Sequence, residues 1–101
     1  MEILRGFLEG EAMGFVKIFT KAKCPKCPVV KEMGVALKKE GVPVSHYDLD
    51  TMDGLAEASY YGILSTPSVI IEDEEEREVM SWRGVAPTLQ EVKEFLSARS
   101  S

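Results

Sequence analysis

Phe15-Val16-Lys17-Ile18-Phe19-Thr20, and then, after Lys21-Ala22-Lys23, Cys24-Pro25-Lys26-Cys27, is the stretch from which the rest of the chain takes its bearings. The first six residues are apolar, β-branched or aromatic apart from Lys17, which reads as a buried strand. Pro25 suits the first position of a helix, where its missing N–H has no acceptor anyway. A helix is expected from about Pro25 to Glu40, with Val30, Met33 and Leu37 as its apolar stripe and Gly41 followed by Pro43 as its stop. Strand, cysteine pair and helix therefore come as one unit.

Working outward, Val44 to Leu49 forms a second strand. Asp53 is placed to cap a short helix running through Tyr61, with Gly62 ending it. Ser65-Thr66-Pro67 introduces a third strand, Ser68 to Ile71. The run Asp73-Glu74-Glu75-Glu76 is too charged to be buried and reads as a hairpin tip before a fourth strand from about Glu78 to Trp82. Gly84 breaks that strand. In the last helix Thr88 and Glu91 have capping-box spacing, while Leu89, Val92, Phe95 and Leu96 make its buried face. Toward the start, Ile3, Leu4, Phe7 and Leu8 fall at helical spacing, so residues 1–14 read as an extension, either a short amphipathic helix or a frayed end. Residues 15–101 make one domain. The expected fold is α/β, a mixed four-stranded sheet in the order β-α-β-α-β-β-α, with helices on both faces and the final hairpin as an antiparallel edge.

A chain of 101 residues, 45% hydrophobic and 29% charged, suits a single core. The uninterrupted apolar runs are strand-sized, so no membrane span is expected. Met1 to Gly14 lacks the basic start and long apolar stretch of a secretory signal. A cytoplasmic location follows as the expectation, and there a close cysteine pair is more often catalytic or metal-binding than structural. The net charge of −5 is uneven: residues 15–40 hold seven lysines against two glutamates, whereas residues 41–101 carry −8. Overall acidity argues against nucleic acid as a partner.

Cys24 and Cys27 are the only cysteines, spaced to lie one helical turn apart. Cys24, just outside the helix, faces unpaired N–H groups and the positive dipole end, which favour a thiolate. Lys23 and Lys26 favour it further. Thiols in such settings have pKa values of roughly 3.5 to 7.5 against about 8.5 when free. Cys24 is thus the candidate nucleophile, and Cys27, one turn in, the resolving thiol. Two duller readings stay open: an unreactive pair, or a metal site. Closed zinc sites want four ligands, so metal requires a dimer sharing two pairs around zinc or an iron–sulfur cluster. His46 is too distant along the chain to be assigned as a base.

The order of elements, Cys24-Pro25-Lys26-Cys27 at the first strand-to-helix turn and Thr66-Pro67 before the third strand together resemble the thioredoxin and glutaredoxin superfamily over residues 15 to about 97. The resemblance implies a thiol–disulfide oxidoreductase in which Pro67 is cis and lies against the cysteine pair. Thr66 would then present its backbone to an extended substrate segment, and Gly84 would let a substrate backbone approach. Cys-Pro-x-Cys is similar to glutaredoxins, while Gly54 to Ala58, Tyr61 to Ile63 and Ser65 to Pro67 look more like thioredoxin. Ile18 stands where thioredoxins carry a buried acid. Trp82 to Thr88 lacks the Gly-Gly and following Asp with which glutaredoxins hold glutathione.

The leading expectation is an electron carrier that reduces protein disulfides with Cys24 and Cys27, has no bound cofactor and works as a monomer. Its reductant is a thioredoxin-reductase-type flavoprotein or glutathione, the latter attracted by Lys21 and Lys23. The alternatives are a glutathione-dependent glutaredoxin and, from another class, a dimeric metal or iron–sulfur carrier.

Overall fold

The computed structural model describes residues 14–100. The leader expectation for residues 1–14 falls almost wholly outside them. β1 (Phe15–Thr20), β2 (Val44–Asp48), β3 (Ser68–Glu72) and β4 (Glu78–Arg83) form one sheet in the order β2-β1-β3-β4. β1 pairs parallel with β2, while β3 is antiparallel to both β1 and β4. The helices are α1 (Cys27–Lys39), α2 (Met52–Tyr60) and α3 (Leu89–Ser100). This is the expected thioredoxin-like α/β arrangement. No described helix is long and apolar enough to cross a membrane.

Alternation along the central strands builds two cores. Val16, Ile18, Val69 and Ile71 point to one face and pack with Val30, Met33 and Leu37 of α1 and Val92 and Leu96 of α3. Phe19 and Ile70 point to the other, against Ala58 of α2 and Ile63, with Tyr47 and Tyr61 at the margin. Phe19 stacks on Tyr47 at 5.3 Å between ring centroids. Both faces of β1 and β3 are covered, which is why every residue of β3 is buried.

Four local expectations need correcting. α1 begins at Cys27, not Pro25: the Cys27 N–H donates to the Cys24 carbonyl at 3.2 Å, a turn closed three residues back, and Lys26 becomes the N-cap. Pro28, not Pro25, takes the early helical position that tolerates a missing N–H. α2 is capped by Thr51, whose hydroxyl accepts from the Gly54 N–H at 3.0 Å, leaving Asp53 in the first turn, where its charge opposes the dipole's positive end. β3 continues through Glu72 and β4 through Arg83.

The fourth concerns the hairpin tip. Asp73 is buried within its own turn, where its carboxylate accepts from the backbone of Glu75 and Arg77 and from Arg77 Nε. These backbone bonds, with the Arg77 charge, hold its pKa below the usual carboxylate range. The capping box of α3 forms as spaced: Glu91 N–H donates to Thr88 Oγ1 at 3.0 Å, and Thr88 N–H to Glu91 Oε1 at 2.8 Å.

Candidate active site

Three segments meet at one end of the sheet. The chain leaves β1 at Thr20 and reaches Cys24; β3 runs antiparallel, with Ser68 opposite Phe19, so Pro67 lies beyond that same end. Arg83 pairs with Ser68, so Gly84 follows at the same level. Topology thus gathers Cys24, Thr66-Pro67 and Gly84 from positions up to 60 residues apart.

Cys24 and Cys27 are joined as a disulfide, with Cα atoms 5.3 Å apart. Cys24 keeps 9% of its surface exposed and Cys27 1%. The difference has a structural cause: Cys24 precedes the helix on an exposed loop, whereas Cys27 is its first residue and faces the core. An incoming group therefore meets Cys24 first. The loop ahead of Cys24 is anchored twice, by the Leu49 N–H on the Thr20 carbonyl at 2.8 Å and the Ala22 N–H on Asp50 Oδ2 at 2.8 Å. Lys23 precedes the pair and Lys26 lies between its two cysteines; both are exposed and have no acidic partner within salt-bridge distance among the described residues.

The Thr66–Pro67 peptide is cis. Its support is a small hydrogen-bond knot: the Gly84 N–H donates to the Pro67 carbonyl at 3.0 Å and to Ser68 Oγ at 3.1 Å, and Ser68 Oγ donates to the Ser65 carbonyl at 2.8 Å. Gly84 has φ +77°, and a Cβ there would stand 2.6 Å from Ser65 Oγ. Its lack of a side chain serves this packing. Among the described residues the backbone of Thr66 has no hydrogen-bond partner, so its N–H and C=O are available. Leu64 and Val85, on either side of the knot, are exposed.

Ile18 is buried in the apolar core on the α1 face, so no acid stands at that position. His46 lies elsewhere, in a shallow cleft of about 160 Å³ with Ile18, Lys31, Gly34, Val35, Lys38 and Val44, where its Nε2 shares a hydrogen bond with Thr20 Oγ1 at 2.7 Å. Burial, then the Lys31 charge, lowers its pKa. Among the described residues no three His, Cys, Asp or Glu side chains gather as a metal site would require.

Sequence reasoning missed one polar cluster, on the α2 face toward the opposite end of the sheet. Lys17 Nζ donates to Tyr61 Oη at 2.7 Å and to Glu57 Oε2 at 3.0 Å, and lies 3.4 Å from Glu72 Oε1; Tyr61 Oη donates to Glu72 Oε2. Burial and the bond to Glu72 push Tyr61 up to about 12, against the opposing effect of Lys17. Burial works to lower the Lys17 pKa, but its bonds to Tyr61 and Glu57 and the Glu72 charge outweigh it and raise it. The signal was a lone lysine within an apolar strand.

A family model for the thioredoxin domain matches residues 15–97. The chain belongs to that family. It is 37% identical over 62 residues to a probable thioredoxin of Archaeoglobus fulgidus, covering 60% of this chain and 68% of that one. The fold is similar to the reduced thioredoxin pre-protein of Schistosoma mansoni, with a TM-score of 0.69 at 18% identity over 94% of this chain and 88% of the other. It is likewise similar to a structure of ferredoxin:thioredoxin reductase in complex with thioredoxin f2, with a TM-score of 0.68 at 17% identity, covering 91% and 82% of the two chains. Family and Cys24–Cys27 pair together make this protein a thiol–disulfide oxidoreductase.

Proposed function

We propose that the protein reduces disulfides in other proteins, with Cys24 attacking and Cys27 resolving, in a reducing cytoplasm. The observation that carries this reading is the unequal exposure of the two bonded cysteines at the same end of the sheet as Thr66, whose backbone groups have no partner among the described residues. An extended substrate strand pairs with Thr66, and its disulfide then lies against Cys24. The Cys24 thiolate attacks one substrate sulfur, and the other leaves as a thiolate. Cys27 displaces the first, so the substrate departs as a dithiol and the protein retains its disulfide. Two electrons have moved, and the protein's own sulfurs carried them.

We assign the return of electrons to a thioredoxin-reductase-type flavoprotein, supported by the relative named a probable thioredoxin and by the absence of Gly-Gly and Asp from residues 82–88. The test offers the oxidised protein a thioredoxin-reductase-type flavoprotein with its pyridine nucleotide, and separately glutathione, and counts free thiols. Recovery of two thiols with the flavoprotein alone supports the assignment; recovery with glutathione alone replaces it with the glutaredoxin reading. Metal analysis of protein purified without oxygen tests the dimeric metal carrier, which a metal-free monomer excludes.

A further inference from the structure

The two walls around Cys24 differ in charge. On one side stand Lys21, Lys23 and Lys26, all exposed. Asp50 is bonded to the N–H of Ala22, and Asp48 Oδ1 accepts from the Asp50 N–H, while neither Lys23 nor Lys26 has an acidic partner within salt-bridge distance among the described residues. On the other side, Ile63 to Ser68 and Gly84 to Pro87 contain no ionisable side chain. Arg83, the charge next to that wall in the sequence, is taken up by Glu78 at 2.9 and 3.1 Å and by the Tyr61 carbonyl at 3.0 Å. Glu78 holds Arg83 protonated, and Arg83 holds Glu78 ionised. Leu64 and Val85 make the outer part of this wall apolar.

A substrate strand lying against Thr66 is therefore read asymmetrically. We propose that the site selects disulfides whose segment is apolar where it meets Leu64 and Val85 and acidic where it passes Lys23 and Lys26. This inference rests on the disulfide-reductase reading and names its substrate class. The physical basis is the attraction of an acidic segment to two cations without an acidic partner among the described residues, in the encounter and in the mixed disulfide, which salt screens. A lysine-rich segment meets like charge at the same place. The chemical step is unchanged: the same two sulfur–sulfur exchanges occur, and charge decides which partners reach them.

The test uses two disulfide-bridged peptides, identical except that two glutamates in one are lysines in the other, next to one cysteine and opposite a leucine. Each is mixed with pre-reduced protein in a single-turnover experiment, and each rate is divided by that peptide's rate with 2-mercaptoethanol to remove intrinsic reactivity. At low ionic strength the normalised rate for the glutamate peptide should exceed that for the lysine peptide by roughly 5- to 30-fold, and the ratio should fall toward one in about 0.5 M salt. In the double variant K23E/K26E the ratio should invert. A ratio is required because these substitutions next to Cys24 also change the reactivity of its thiolate toward both peptides, and that change divides out. Equal normalised rates in the wild type, or a ratio unmoved by salt and by K23E/K26E, overturn the proposal while leaving the reductase reading intact. Failure to reduce either peptide overturns the reductase reading itself.

Discussion

Lys17 and Lys23 lie six residues apart on one run of chain, yet the protein treats their charges in opposite ways. Lys17, on β1, is held by Glu57, Tyr61 and Glu72 and largely shielded from water. Lys23, past the end of the strand, is exposed and unpaired among the described residues, as is Lys26. Paired, a buried charge fixes geometry and has little attraction left for a ligand. Left unpaired near a sulfur, a charge costs little in water and stays available to an anion. One end of the sheet spends its charge on structure, and the other keeps it for chemistry.

The contrast can be broken most severely at the sulfurs. Cys24→Ser should lower the rate of protein-disulfide reduction by at least about a thousandfold with the fold intact, whereas Cys27→Ser should accumulate a mixed disulfide visible by intact mass. Comparable turnover by wild type and Cys24→Ser would remove chemistry from that end of the molecule. Next is Lys17→Met, which strips the buried Glu72 of its cation. A loss of roughly 3 kcal/mol in urea unfolding is expected, with the per-molecule reduction rate within about twofold of wild type. A large rate effect without a stability effect would reverse the roles assigned to the two ends.

Gly84→Ala should cost about 1 to 2 kcal/mol, from a left-handed backbone and from the contact with Ser65. Adding Ser65→Ala should return only the second share, which urea unfolding of the pair measures. The smallest effect belongs to His46. Its folded pKa is lowered from about 6.5, so the unfolded chain binds the proton more readily. The stability it contributes is complete above pH 6.5 and is lost as pH falls toward the folded value. His46→Asn should flatten the fall of the unfolding free energy between pH 7.5 and 5.5 only slightly, because the residue is exposed and solvent screens its charge.

Local, repeated signals were readable in the sequence. Thr88 and Glu91 announce a capping box and make one, Gly62 ends α2 at φ +69°, and the succession of strands and helices, with the right-handed crossover rule and the final hairpin, implies the mixed sheet that forms. What escaped depends on partners far along the chain. Glu72 and Asp73 look like the start of a solvated acidic run, but Lys17 lies 55 residues before Glu72, and the bonds that cover Asp73 come from a turn whose shape is not in the composition. The α1 start was misplaced because Pro25 and Pro28 both satisfy the same rule, and only the turn closed by Cys27 on Cys24 separates them. Gly84 reads in the sequence both as a strand terminator and as a point of substrate approach; its bonds to Pro67 and Ser68, and its closeness to Ser65, depend on segments about 16 to 19 residues earlier in the chain. Thr66 and Pro67 lie at the same end of the sheet as the cysteines, where Lys23 and Lys26 stand next to them in the chain, while Thr20 and His46 form a pair that no spacing announced.

The knot around Asp73 bears on handling the protein. All of its bonds stay within residues 73–77, and the turn sits at the end of β3 away from the disulfide, a strand length of roughly 15 Å or more from Pro67. A label or surface tether attached at the exposed Glu74 side chain, which takes no part in the knot, would hold the molecule by a closed turn. Immobilised on an electrode in this way, the protein would present its dithiol to solution.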